Sequence, residues 1–244
     1  GKIWLVFEGG GIQRLSYENN KFRDQGFSFK NDLLDNFTVY AVHEDKTENL
    51  WFATAAGIVK LALNDTTGEV ANSVNITVEE GLVHNDVRAI VEDKEGNLWF
   101  GTGGGISKYN PYQASKQFEN FTSKNGLVSS RVYSLIFDND GNLWVGTNMG
   151  IDKMDIKKYN ETMNNIDPVG YKYKSTGTAA FKHYGYPEGF TGIETNTNAV
   201  CKDKDGNLWF GTIRGAIKYR QESDKPNEIP PIIQITGVKL YSTD

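Results

Sequence analysis

At 244 residues, with 38% apolar and 12% aromatic residues, the chain has enough material for a real core and is short enough to be one all-β domain. Its net charge of −5 and sequence pI near 5.3 argue against nucleic acid as a partner, since such proteins carry a basic stripe. The single cysteine, Cys201, excludes an internal disulfide and a cysteine metal cluster, and no apolar run approaches the roughly 18 residues of a membrane helix.

Taken from the N-terminus, one pattern recurs. A loose first copy runs from Gly1-Lys2-Ile3-Trp4 through Gly11-Ile12-Gln13-Arg14. Four copies then align without gaps: Asp45 to Lys60 around Trp51, Asp93 to Lys108 around Trp99, Asp138 to Lys153 around Trp144, and Asp203 to Lys218 around Trp209. All five tryptophans occupy this position, at spacings of 47, 48, 45 and 65 residues. A period near 45 matches one four-stranded propeller blade. Residues 1–229 are therefore read as propeller blades.

Within one copy the residues have physical reasons. Val87–Glu92 reads as an inner strand. Asp93-Lys94-Glu95-Gly96-Asn97 is a hairpin turn in which Asp bonds backbone amides and Gly supplies a positive φ. Asn97–Thr102 is the second strand, with Leu98 and Phe100 on one side and Trp99 on the other, as a sheet covered on both faces requires. Gly105 breaks the chain before the strand at Ile106–Tyr109. Phe118–Phe121 and Phe181–Tyr184 read as less regular outer strands. Cys201 aligns with Val91 and Ile136, which predicts a buried thiol. Lys60, Lys108, Lys153 and Lys218 are expected to bury their stems between blades and keep their amines wet. The long spacing before Trp209 predicts an inserted surface loop near residues 155–176.

Two other patterns fail their chemistry. Gly101-Thr102-Gly103-Gly104-Gly105 precedes no helix and lacks the Lys-Ser/Thr of a phosphate loop. Asp138-Asn139-Asp140-Gly141-Asn142 lacks the twelfth-position Glu of a calcium loop and lies between strands, so it reads as a turn. No metal site and no cofactor are expected.

The block Asp-x-x-Gly-Asn-Leu-Trp-Phe-Gly-Thr-x-x-Gly-Ile-x-Lys-Tyr resembles the two-component regulator propeller repeat. Glu80–Val87 and Asn125–Val132 are similar to that family's Gly-Leu-x-x-x-x-Val link into the next inner strand. Pro230–Tyr241 resembles the opening of the β-sandwich that follows the propeller there, so residues 230–244 are assigned to that sandwich or a linker. The first two copies depart from the pattern, with Val6-Phe7 for Gly-Thr, Glu48 for Gly and Ala53 for Gly. The resemblance implies a seven-bladed type of array, of which five motifs are present, in the extracytoplasmic, periplasmic part of a membrane-anchored hybrid histidine kinase. It further implies as partners a small-molecule or oligosaccharide ligand and the adjacent propeller and sandwich domains, with a homodimer as a further expectation. Two alternatives stand beside the sensor: a propeller lyase, and a scaffold that binds no ligand.

Chemistry specific to one blade should break the repeat. His43 aligns with Ile136 and Cys201 and reads as packed or channel-lining; His183, on an outer strand, reads as solvated; His84 lies in a link. With no carboxylate pair or nucleophile–base ordering in view, no catalytic residue is assigned. The expected ligand face gathers the links and the turns after the Gly-Thr strands, nominating His84, Asn85, Arg131, Tyr133, Asn148, Glu194, Asn196 and Arg214. Gly185–Asn196 reads as the least repetitive link, standing in for a shorter one elsewhere.

Overall fold

The computed structural model describes residues 2–6, 12–24, 34, 38–64, 70–113, 117–164 and 181–224. Five antiparallel sheets are arranged as a β-propeller. The first is β1 (Lys2–Val6), β2 (Ile12–Glu18) and β3 (Lys21–Asp24). The second is β4 (Val39–Glu44), β5 (Leu50–Thr54), β6 (Gly57–Leu63) and β7 (Val70–Ile76). The third is β8 (Val87–Glu92), β9 (Leu98–Thr102), β10 (Gly105–Tyr109) and β11 (Phe118–Phe121). The fourth is β12 (Val132–Phe137), β13 (Leu143–Thr147), β14 (Gly150–Met154) and β15 (Phe181–Tyr184), and the fifth is β16 (Thr195–Lys202), β17 (Leu208–Thr212) and β18 (Gly215–Tyr219). Strands follow one another in sequence order within every sheet, and β4, β8, β12 and β16 approach one another around the axis. The proposed sandwich start at residues 230–244 lies outside the described residues.

The tryptophans wedge the blades apart and hold them together. Trp4 packs on the sheet carrying Leu50 and Phe52, and Trp51 on the sheet carrying Leu98 and Phe100. Trp99 packs against Leu135, Leu143 and Val145, and Trp144 against Leu208 and Phe210. From Trp51 onward each indole is held from two sides. Its Nε1–H donates to the turn aspartate, at 2.7 Å for Trp51–Asp45, 2.9 Å for Trp99–Asp93, 2.9 Å for Trp144–Asp138 and 3.0 Å for Trp209–Asp203. The cross-strand lysine amines lie over the rings, 4.9 Å from the centroid for Lys60, 5.0 Å for Lys108, 5.2 Å for Lys153 and 5.1 Å for Lys218. The lysine heads are therefore not simply wet, as expected from sequence; the indole face attracts the ammonium, and the register that sets Trp99 opposite Lys108 brings the two together. The aspartate also accepts a backbone N–H two residues before the tryptophan, so one carboxylate closes the hairpin and fixes the indole.

Two expectations need correction. Cys201 is exposed, not buried. It pairs with Trp209 on a flank that no further sheet covers among the described residues, so the core environment of its counterparts is missing. The insertion after β14 does not open as a loop: it begins with helix α1 (Ile156–Asn164), whose Tyr159 ring meets Phe121 edge-on at 5.4 Å and whose hydroxyl donates to Glu119. Residues 165–176 of that insertion lie outside the described residues. His183 is exposed, as its place on an outer strand suggested, and its Nδ1 also lies 3.0 Å from Oδ1 of the fully buried Asp152.

Candidate functional site

The Asp-x-x-Gly-Asn turns gather on one face of the propeller; the links and the Thr-x-x-Gly turns gather on the other. On that second face each Thr hydroxyl donates across its turn to a glycine carbonyl, as Thr102 does to Gly105 at 2.8 Å, which leaves the two intervening residues to face outward. The links are also built alike. Thr77, Thr122 and Gly185 each donate their backbone N–H to the side chain three residues on, Glu80, Asn125 and Glu188, at 2.7, 2.9 and 2.8 Å. A left-handed glycine follows in each, at Gly81, Gly126 and Gly189.

The Gly185–Asn196 segment is accordingly not an unusual link. From its left-handed glycine to the first residue of the inner strand the step is the same in all three: Gly81 to Val87, Gly126 to Val132, Gly189 to Thr195. The length difference lies one step later, in the inner strand itself. Each inner strand opens with a β-bulge. One residue is squeezed out in three of them, Tyr40 between Val39 and Ala41, Arg88 between Val87 and Ala89, and Tyr133 between Val132 and Ser134. In the fifth sheet the register breaks between Thr195 and Val200, and the exposed Asn196-Thr197-Asn198 stands where the other blades have one residue. Bulges re-aim side chains. Here they aim Tyr40, Arg88, Tyr133 and the Asn196–Asn198 arm at the mouth of the central channel.

Arg88 sits at the middle of this group. Its Nε and Nη2 donate to Asp86 Oδ2 at 3.0 and 2.7 Å, and its guanidinium carbon lies 4.8 Å from the Tyr133 ring centroid and 6.0 Å from that of Tyr40. The hydrogen bonds to Asp86 push the pKa of the guanidinium up from its already high value. The other oxygen, Asp86 Oδ1, is buried and takes no hydrogen bond among the described residues. Across the axis, Asn198 Nδ2 donates to the carbonyls of Tyr40, at 2.7 Å, and of Arg88, at 2.8 Å.

Of the residues nominated from sequence, Tyr133 belongs to this cluster and Asn196 to the arm that crosses it. Glu194 and Arg214 come from neighbouring loops joined by the bond from Ile213 N to the Glu194 carbonyl, 3.2 Å. Asn148 accepts from Ser129 Oγ at 2.7 Å, and the same hydroxyl accepts from the backbone of Arg131, whose side chain is exposed. The exposed His84 uses Nδ1 to accept from Asp86 N at 3.0 Å, and its ring lies against the Gly103-Gly104 turn. Asn85 is a structural staple: its Oδ1 accepts from Val78 N at 2.8 Å, as Ser130 does from Ser123 in the next link. Sequence reading missed Tyr40, Arg88, Asp86 and Asn198. A signal was present, since the residue after the first inner-strand residue differs between copies: Tyr40, Arg88, Tyr133 and Asn196. His43, read as packed or channel-lining, bridges adjacent inner strands through Glu92 at 3.1 Å.

The other acid–histidine pair lies within the fourth blade, across the two outer strands β14 and β15. Burial pushes the Asp152 carboxyl above the usual range, while the bonds from Val128 N and His183 pull it back. Its counterpart one blade earlier is neutral: Ser107 accepts from Val83 N at 3.0 Å and donates to Asn120 at 2.7 Å. Asp152 and His183 therefore fasten a link and are placed away from the mouth. A cavity of about 190 Å³ lined by Lys108, Gln117 and Glu119 lies at the outer rim and includes none of the mouth residues.

The fold is that of a β-propeller, and the family model of the two component regulator propeller matches residues 81–104, 126–149 and 191–214. Those three segments are two component regulator propeller repeats. Among solved structures the chain is similar to the extracellular domain of the putative hybrid two component system BT4673 from B. thetaiotaomicron, at 22% identity and a TM-score of 0.63 over 91% of this chain and 28% of that one. It is also similar to the corresponding domain of BT3049 from the same organism, at 21% identity and a TM-score of 0.50 over 91% and 32%. Virginiamycin B lyase from Staphylococcus aureus shares 15% identity with a TM-score of 0.54, over 93% of this chain and 68% of the lyase. At these identities the likeness is one of fold. The chain spans under a third of the length of the two extracellular domains. No curated protein matches it.

Proposed function

We propose that this chain is an extracytoplasmic sensing module of a two-component signalling protein, and that it binds a small molecule, an oligosaccharide above all, at the channel mouth. The observation that carries the reading is Arg88 held between Tyr133 and Tyr40 on bulged inner strands, at a position where blades built alike present different side chains. Aromatic faces beside guanidinium, amide and carbonyl groups suit a sugar, whose C–H faces stack and whose hydroxyls donate and accept. Repeats of the regulator type and the fold shared with extracellular domains of hybrid systems support the sensor assignment. Binding here would shift a conformational equilibrium relayed to a kinase elsewhere in the parent protein, through adjacent propeller and sandwich domains or a second copy. No helix among the described residues is long and apolar enough to cross a membrane.

The test is calorimetric titration of the protein with di- and tetrasaccharides. Arg88→Ala should weaken binding about tenfold or more, in line with the roughly 1.5–3 kcal/mol carried by a hydrogen bond to a charged group, while His183→Ala leaves affinity unchanged. Equal affinity in wild type and Arg88→Ala would remove the mouth as the site.

A further inference from the structure

The two carbonyls that Asn198 reaches are unusual in having been released by bulges. In a regular antiparallel pair the carbonyl of each inner-strand residue is engaged by its neighbour or faces away from it in alternation; squeezing one residue out of register leaves its groups without a ladder partner. Tyr40 and Arg88 are those squeezed-out residues in adjacent blades. Their oxygens lie close enough together for one nitrogen to bond both, at 2.7 and 2.8 Å. The group that does so comes from the far side of the axis and from the one blade with extra residues in its bulge. Thr195 to Trp209 is two residues longer than Val87 to Trp99 or Val132 to Trp144, and the excess falls at Asn196–Asn198. Asn198 holds a left-handed φ of 53°, the conformation that turns the arm inward and that asparagine tolerates better than other side-chain-bearing residues. The contact is solvent-exposed, so it adds little to the core.

We propose that the Tyr40 and Arg88 carbonyls are a paired-acceptor subsite for two adjacent hydroxyls of a neutral sugar, and that Asn198 closes this subsite in the free protein. The proposal rests on the mouth being the ligand site and adds which ligand class it takes and what the ligand must displace. A primary amide mimics such a diol, since it offers two N–H donors from one small group. The chemistry selects against anions at this spot. The spot presents two carbonyl oxygens, and the Arg88 charge is already paired with Asp86. The half-buried Tyr40 ring lies beside the acceptors and offers an apolar surface suited to a sugar, while the buried Tyr133 ring backs Arg88. A ligand that must displace a bound group pays for the occupied fraction, so removing that group raises apparent affinity without any new contact.

The experiment compares wild type, Asn198→Ala, Arg88→Ala and a variant in which a single tyrosine replaces Asn196-Thr197-Asn198, restoring the length of the sister blades. Each is titrated calorimetrically with neutral and uronate-bearing di- and tetrasaccharides, and its melting temperature is read without ligand. Asn198→Ala and the shortened variant should bind neutral saccharides roughly tenfold more tightly than wild type, while Arg88→Ala binds more weakly. Unchanged or weaker binding in both arm variants, with Arg88→Ala still impaired, overturns the latch and leaves the mouth standing. Preference for uronate-bearing saccharides overturns the neutral-diol assignment. Absence of binding by every variant overturns the mouth as a sugar site and this inference with it.

Discussion

Asp138 offers the sharpest test of how the blades are held. Its carboxylate is almost completely buried and accepts from Trp144 Nε1 at 2.9 Å, Asn142 N at 2.8 Å, Asn142 Nδ2 at 2.9 Å and Asp140 N at 3.0 Å. In Asp138→Ala the exposed amide of Asp140 regains water, but the indole N–H, on a tryptophan only 1% exposed, does not. A buried donor left unpaired costs about 1–3 kcal/mol, and the charge-assisted bonds to half-buried Asn142 add about 1–2 kcal/mol, giving about 3–5 kcal/mol. Asp138→Asn keeps one acceptor oxygen. Whichever way its amide turns, an NH₂ group faces either the indole or the Asn142 N–H, so about 2–3 kcal/mol should be lost. Urea unfolding followed by tryptophan fluorescence should show a lower midpoint with unchanged slope, and the Asp138→Ala melting temperature should fall by about 6–20 °C. If Asp138→Ala lies within about 1 kcal/mol of wild type, the carboxylate does not anchor the indole and the account of blade cohesion fails.

Other expectations follow from the same geometry. Glu48 takes φ of 63° where the sister turns have Gly96, Gly141 and Gly206 at 85–86°, so Glu48→Gly should raise stability by about 1 kcal/mol in the same urea assay. Trp144→Ala should cost about 3–5 kcal/mol as a core truncation, and a fully stable variant would contradict the packing role. The double change Asp152→Ser with His183→Asn copies the neutral Ser107–Asn120 pair. Because burial raises the Asp152 pKa, its carboxylate costs stability above that pKa; melting curves should show the variant gaining on wild type toward neutral pH and losing the advantage as pH falls. Asp45 has the opposite sign. Partial burial works against its ionisation, but bonds from Trp51, Thr47 and Asn49 outweigh this and hold its pKa below 3.8. Its contribution is therefore present above about pH 4 and lost as pH drops through the depressed value, and Asp45→Asn should flatten that part of the acid unfolding curve.

The blades were legible in the sequence because every element of the repeat has a local cause. Asp93 and Gly96 specify a hairpin; Leu98-Trp99-Phe100 specifies a strand covered on both faces; Thr102 and Gly105 specify the next turn. The site was harder to read. Its residues do not share a motif but a defect, the bulge after Val39, Val87 and Val132, and a bulge is a feature of register between two strands that neither strand shows alone. Tyr133 and Asn196 were found because they lie in the links' neighbourhood, whereas Arg88 reads as an ordinary polar residue of an alternating strand. Cys201 was misread because alignment with Val91 and Ile136 assumes a covering sheet. The Asp152–His183 pair was missed because its partners are 31 residues apart and meet only through the pairing of β14 with β15.

Blade cohesion and the proposed ligand site occupy opposite ends of the blades. The aspartates that clamp the indoles lie at one rim of the disc, while Tyr40, Arg88, Tyr133 and Asn198 lie at the other, and no mouth residue takes part in the Asp–Trp–Lys clamp. Specificity in such a molecule can be rewritten one blade at a time, by swapping a bulged residue or lengthening a bulge by two, with little effect on melting behaviour. A library randomised at positions 40, 88 and 196–198 should therefore stay largely folded, which makes the protein a natural frame for selecting new binders.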